Sequence, residues 1–253
     1  MAQQFISQSI ILRRWEVGEA DLLVSFFSKD YGRLTGIARS ALKSKRRFCN
    51  CLDIFSVSNL EFQYKKASDK VFLHRGKLED GFAALRYDYN RVVLAAYAVR
   101  LIETLSPIIV KSPKMFEALL WHLYSLNKGC SGEYAKIAFD IYAMALGGFG
   151  INFEKCSVCG KKYNGNASVV FAPHTGGILC SACSNKFSYY PKLSAEAVPV
   201  IETIQKGFHM TGENIIYSEK ILDELNATIK LHINYRIDKN PNFSRIAECG
   251  KKN

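Results

Sequence analysis

The stretches FISQSIILRR (5–14), ADLLVSFFS (20–28), RLTGIAR (33–39), VSNLEFQY (57–64) and KVFLHRG (70–76) decide the fold of the N-terminal region. Each is short and rich in β-branched or aromatic residues, and turn-formers separate several of them, most plainly Lys29-Asp30-Tyr31-Gly32. This is the signature of strands joined by tight turns. Five strands in about 80 residues fit a small closed or partly open barrel, and the five-stranded OB-fold is the natural candidate.

Beyond residue 81 the apolar period changes from two to that of a helix. YNRVVLAAYAVRLIETLS (89–106) stops before Pro107. PKMFEALLWHLYSLNKG (113–129) opens on a proline suited to the first helical turn and closes on a glycine. GEYAKIAFDIYAMALGG (132–148) follows Ser131 and ends on paired glycines. AEAVPVIETIQKGFHM (195–210) and SEKILDELNATIKLHINYR (218–236) read as two further helices, and the tail after Asp238 reads as irregular. The expected architecture is α+β: a five-stranded OB-fold barrel over 1–80, then a helical bundle over 81–253. A four-cysteine zinc knuckle over 151–187 is inserted into that bundle.

The strongest local motif is Cys156-Ser-Val-Cys159 followed, after twenty residues, by Cys180-Ser-Ala-Cys183. Two residues between cysteines let both thiolates of a knuckle face one ion. The spacer is long enough for a hairpin that returns the second pair, and four sulfurs complete a tetrahedral zinc shell. SVVFAP and GGILC supply the arms of that hairpin around His174-Thr175-Gly176-Gly177, and Gly160 permits the tight knuckle. A closed shell leaves no place for a reacting water, so one structural zinc ion is expected. His174 reads as a turn residue, and Cys49, Cys51, Cys130 and Cys249 as small apolar core or surface positions.

The chain has 34 basic and 23 acidic residues, a formal +11. Residues 1–50 carry nine basic and four acidic groups, and residues 151–190 carry four lysines against Glu154. Such a surplus favours polyanionic partners. It concentrates in the third connection of the barrel, where Arg39, Lys43, Lys45, Arg46 and Arg47 occur with no acid among them. With Arg33 these are the candidate phosphate contacts; Trp15, Phe48 and Tyr64 are candidate stacking aromatics. No stretch reaches the length of a membrane span, the N-terminus lacks the pattern of a signal peptide, and paired Cys-x-x-Cys motifs suit a reducing compartment. A cytoplasmic protein is expected. P-loop, His-Glu-x-x-His, His-x-Glu deaminase and Gly-x-Ser-x-Gly patterns are all missing, so nothing points to an enzyme.

Taken in order, these parts resemble the bacterial RecO family. ILRRWEVGEADLLVSFFSKDYGRLTGIAR (11–39) is similar to the family's opening and KSKRRFCNCLDIF (43–55) to its basic stretch. LRYDYNRVVLAAYAVRLIETL (85–105) is similar to its first long helix, FAPHTGGILCSAC (171–183) to its second zinc knuckle, and PNFSRI (241–246) to its closing segment. Two positions depart: Ser40 stands where a glycine is usual, and Arg100 where an acid is common. The resemblance implies a non-enzymatic, nucleoid-associated mediator of DNA repair. It would bind single- and double-stranded DNA, anneal complementary strands, work with RecR, contact the acidic tail of single-strand-binding protein and so assist RecA. An RNA-binding zinc-knuckle protein is the alternative reading; a metal-dependent nuclease and an assembly scaffold are more distant ones.

Overall fold

The computed structural model describes residues 3–64, 69–129, 132–185, 189–207 and 218–237. The closing PNFSRI, the tail after Asp238, Cys130, Cys249 and part of the 195–210 stretch lie outside them. The chain divides into two compact units, Met1–Cys130 and Ser131–Asn253.

In the first unit, β1 (Phe5–Val17), β2 (Asp21–Ser28), β3 (Gly32–Ala38), β4 (Val57–Tyr64) and β5 (Lys70–Asp80) close a barrel in the order β1-β2-β3-β5-β4. Neighbours run antiparallel except β3 and β5, which are parallel. This is OB-fold connectivity, as the spacing of strands predicts. Strand alternation sends Val24, Phe26, Leu34, Leu60, Phe62, Val71 and Leu73 into one core. One end is sealed by Phe5, Tyr31, Phe62 and Tyr64, with ring centroids 5.3 to 6.1 Å apart, mostly edge to face. The register of β1 against β2 slips between Ile11 and Arg13, so Leu12 joins Ile10 and Ile11 in being buried.

Three helices complete this unit: α1 (Ala83–Arg86), α2 (Tyr89–Leu105) and α3 (Pro113–Lys128). Asp88 caps α2 by accepting the N–H of Asn90 and Arg91, and α3 ends on left-handed Gly129. Phe116 of α3 meets Phe27 on the outer face of β2 at 6.1 Å. The link between α2 and α3 is pinned to β3, where Ile109 donates its N–H to the Arg33 carbonyl at 3.0 Å. Gly32, at φ +73°, lies under this link; a Cβ there would stand 2.1 Å from the Val110 carbonyl oxygen.

The second unit holds α4 (Gly132–Met144), a π-helical turn (Ala145–Phe149) and a four-stranded sheet, followed by α6 (Ala197–Gln205) and α7 (Glu219–Ile237). The sheet contains β6 (Asn152–Cys156), β7 (Val169–Ala172), β8 (Gly177–Leu179) and β9 (Lys192–Leu193) in the order β6-β8-β7-β9, with the short α5 (Ser181–Ser184) after β8. The hairpin of the cysteine spacer is present as read, and β6 and β9 extend it into a sheet. His232 of α7 is buried, donates from Nε2 to the Phe149 carbonyl at 2.7 Å, and meets the Phe171 ring edge-on at 5.2 Å. Its tautomer follows from that bond.

Two outcomes test this packing. Gly32→Ala should lower unfolding stability by more than about 2 kcal/mol, because left-handed strain adds to the clash with Val110. A denaturant midpoint equal to wild type contradicts the pinned link. Burial pushes the His232 pKa down, partly opposed by the Phe149 carbonyl. The unfolded chain therefore takes up that proton more readily, so the contribution of His232 is complete above about pH 6.5 and is lost as the pH falls. His232→Gln should flatten the decline in melting temperature between about pH 7 and pH 5 relative to wild type. Parallel pH curves would assign that decline to other groups.

Candidate metal centre and nucleic-acid interface

Each cysteine pair sits on a hydrogen-bonded knuckle. Cys156 ends β6, donates its N–H to the Lys161 carbonyl at 2.9 Å and accepts the Gly160 N–H at 3.0 Å, with Gly160 at φ +71°. Cys180 accepts from the N–H groups of Cys183 and Ser184, both at 3.0 Å, at the start of α5. Ser157 donates to the Ile178 carbonyl at 2.8 Å and so ties the first knuckle to β8. The four Sγ atoms of Cys156, Cys159, Cys180 and Cys183 all lie within 4.8 Å of one another, and Cys159 and Cys180 are 3.8 Å apart.

A tetrahedron with metal–sulfur bonds of about 2.3 Å has edges of about 3.8 Å, so the cluster fits a tetrathiolate ion. Burial resists ionisation of Cys156, but the N–H groups of Cys159, Cys180 and Val158 outweigh it and bring its pKa down to about 6. Hydrogen bonds to Cys180 and Cys159 push Cys183 up to about 12. Four thiols this close share protons, and a cation that replaces those protons removes the conflict. His174 is not among the ligands; it lies exposed in the β7–β8 turn, with Nδ1 3.4 Å from the Tyr190 hydroxyl. A filled tetrathiolate centre carries a formal −2, which offsets much of the lysine surplus on this module. Cys51 is a buried thiol pushed up to about 11 by desolvation, and Cys49 is exposed; neither joins the cluster.

The basic connection between β3 and β4 is an ordered cover on one barrel rim. Its apolar residues Ala41, Phe48, Cys51 and Leu52 are buried in the barrel core. Ser40 takes the left-handed conformation, φ 53°, where a glycine would be easiest, and its N–H is held at 2.7 Å by the Asp21 carboxylate. Arg47 donates to the Arg39 carbonyl at 2.7 Å, and Gly76 of β5 donates to the Arg47 carbonyl at 2.8 Å. Burying the apolar half of the loop turns Arg39, Lys43, Lys45, Arg46 and Arg47 out to solvent. Among the described residues none of the five has an ion-pair partner. By contrast Arg13, Arg14 and Lys29 are paired with Glu103, Asp53 and Glu117. Arg33 is not part of this group: it stands at the far end of β3, about 20 Å from Arg39 at the usual rise per strand residue. Its buried Nε has no hydrogen-bond partner.

The aromatics sort differently from expectation. Phe48 is buried, 6% exposed, beneath the Arg47 guanidinium, and Tyr64 belongs to the sealed end, so neither offers a free face. Trp15 is 45% exposed. It pairs with Leu23, Leu23 with Ile37, and Ile37 with Phe72, placing these four side chains in one row across the outside of β1, β2, β3 and β5. Arg39 lies over the Phe72 ring at 5.0 Å, which joins the apolar row to the cationic rim. Leu23, Ile37 and Phe72 escaped the sequence reading. Alternation marks each as outward-facing, but only strand register aligns them.

Family models match nearly the whole chain: Recombination protein O N terminal over residues 1–82 and Recombination protein O C terminal over residues 86–246. The chain is similar to the DNA repair protein RecO of Dehalococcoides mccartyi, 28% identical over 237 residues, covering 94% of this chain and 92% of that one. It is 32% identical to the DNA repair protein RecO of Syntrophotalea carbinolica over 177 residues, 70% of this chain and 68% of that one. With the protein of that name from Syntrophus aciditrophicus it shares 26% identity over 240 residues. No helix among the described residues is long and apolar enough to cross a membrane.

Stripping the metal tests the cysteine centre. The purified chain should release about one zinc ion to a strong chelator. Amides of 152–193 should then lose hydrogen-exchange protection while those of the barrel strands keep theirs, since metal binding supplies folding energy locally. Unchanged protection in the metal-free chain would remove the structural role.

Proposed function

Because the chain belongs to the RecO family, we propose that it is a recombination mediator in DNA repair that binds single- and double-stranded DNA and anneals complementary strands. With RecR, it helps to load RecA onto DNA coated with single-strand-binding protein. The observation that supports this most is the set of five solvent-facing cations on the barrel rim, without ion-pair partners among the described residues and adjoining the row from Trp15 to Phe72.

In this reading Arg39, Lys43, Lys45, Arg46 and Arg47 contact phosphates, and Arg33 extends the path along β3. Neutralising phosphates releases counterions and lowers the repulsion between two polyanions. Unpaired bases rest on Trp15 and Phe72 with their pairing edges accessible. Base pairing then drives the exchange, so no bond need be made or broken in the protein and no ATP is needed. Residues 1–80 hold DNA. Residues 81–253 carry the contacts to partners, among them a basic-rimmed groove for the acidic tail of single-strand-binding protein. Zinc on Cys156, Cys159, Cys180 and Cys183 stabilises the 151–187 module, and the protein works in the bacterial cytoplasm, at the nucleoid.

A stacking face is indifferent to the sugar beneath it, so the same row also suits an RNA-binding zinc-knuckle protein. Annealing of complementary oligonucleotides coated with single-strand-binding protein, followed by fluorescence without ATP, separates the two. The chain should accelerate annealing, with a steep loss in salt. Replacing Lys43, Lys45, Arg46 and Arg47 by alanine should reduce the salt slope by about 3 on single strands. Absence of acceleration together with preferential competition by RNA would overturn the mediator reading. Unchanged affinity in the quadruple variant would dismiss the rim as the DNA surface.

A further inference from the structure

Annealing brings two strands together, and the reading above assigns one of them to the row on the barrel. Beside the metal centre the second unit presents another exposed aromatic group. Tyr189 is 73% exposed and Tyr235 50% exposed, far more than tyrosines stabilising a core. The Tyr189 and Tyr190 rings meet edge-on, with centroids 4.4 Å apart, and Tyr190 lies 6.0 Å from the His174 ring. Arg236 of α7 sits over the Tyr235 ring at 5.9 Å and reaches the His174 carbonyl at 3.4 Å, while its Nε is left without a hydrogen-bond partner.

The group is held on rigid supports. Tyr190 packs against the core of Cys156, Val170, Ala172 and Leu179. The adjoining Pro191 carbonyl accepts the Phe171 N–H at 2.9 Å, and Thr175 and Gly176 both donate to the Ala172 carbonyl in the turn that carries His174. Lysines flank this group, while Glu224 is held by Ser194 through two hydrogen bonds of 2.8 Å and a filled tetrathiolate centre would carry a formal −2. No Asp or Glu occurs from Lys155 to Ala195, nor from Leu225 to Ile237 along α7. Lys155, Lys161 and Lys162 stand on the first knuckle beside the thiolates, where they offset the negative centre.

We propose that Tyr189, Tyr190 and Tyr235, with His174 and Arg236, form a second binding site for single-stranded DNA on the zinc-bearing unit. This rests on the annealing function proposed above and supplies its second strand. The exposed Tyr189 and Tyr235 rings stack on unpaired bases, Tyr190 backs Tyr189 from the core, and Arg236 meets the phosphate backbone while its plane stays against Tyr235. Because Tyr190 rests on the cysteine cluster, the metal positions this site, whereas the barrel row is independent of it.

Photo-crosslinking of an oligothymidine carrying 5-iodouracil to the full chain, mapped by mass spectrometry, tests the site. Crosslinks are expected at Tyr189, Tyr190 or Tyr235 as well as at Trp15 or Phe72, and those on the tyrosines should persist in the rim variant. Crosslinks confined to the barrel would overturn the second site and leave the mediator reading standing; crosslinks nowhere on the chain would overturn both. Tyr189→Ala with Tyr235→Ala should slow annealing about thirtyfold or more, the loss expected for two stacked bases, with unchanged zinc content and less than about a twofold change in affinity for a single short strand. The matching phenylalanine pair should restore the rate, since stacking needs the ring and not the hydroxyl. Annealing at the wild-type rate in the alanine pair contradicts the proposal.

Discussion

Closure of the barrel is the constraint from which the rest of the first unit follows. Pairing β1 with β4 leaves β5 to fill the gap between β4 and β3, and that gap can be filled only by a strand parallel to β3. With five strands in a closed ring no edge remains to template aggregation. The cost is a long connection from β3 to β4, because β4 must start on the far side of the ring. That connection has to cross a barrel end, and it survives there by inserting Phe48, Cys51 and Leu52 into the core. Its cations have nowhere to go but outward. The charged rim is thus a by-product of satisfying backbone hydrogen bonds and apolar burial together.

The two units rest on different forces. Large apolar side chains from all five strands and from the β3–β4 connection, with a sealed aromatic end, give the barrel enough burial to stand on ordinary hydrophobic stabilisation. On the cysteine side the sheet buries Cys156, Val170, Ala172 and Leu179, with Cys180, Cys183 and Tyr190 beside them, while Phe171 meets His232 of α7. A metal held by the four thiolates would add folding energy on that side of the sheet. The cysteines sit on tight knuckles whose backbone hydrogen bonds, to the Cys156 and Cys180 carbonyls, turn the paired thiols toward one point.

Strain is placed where strands and loops have to meet. Gly32 accepts the close approach of Val110, and Ser40 adopts a left-handed backbone that its neighbour Asp21 supports. A hydrogen bond from the Ser40 N–H to the Asp21 carboxylate supports a conformation that a glycine adopts without help.

By itself the sequence determined the strands, the main helices, the cysteine pairs and the run of cations. Each depends on local period, turn chemistry or spacing, and these are written along the chain. Phe48 and Phe72 mark the boundary of that legibility. Both are aromatics in the basic region, yet tertiary packing sent Phe48 inward beneath Arg47 and left Phe72 outside under Arg39. The alignment of Trp15, Leu23, Ile37 and Phe72 was decided by strand register, and the gathering of Tyr189, Tyr235, His174 and Arg236 by the packing of α7 against the cysteine-bearing sheet. In both cases the residues are distant in sequence, and only the closing of the chain, driven by burial of the opposite faces, makes them neighbours.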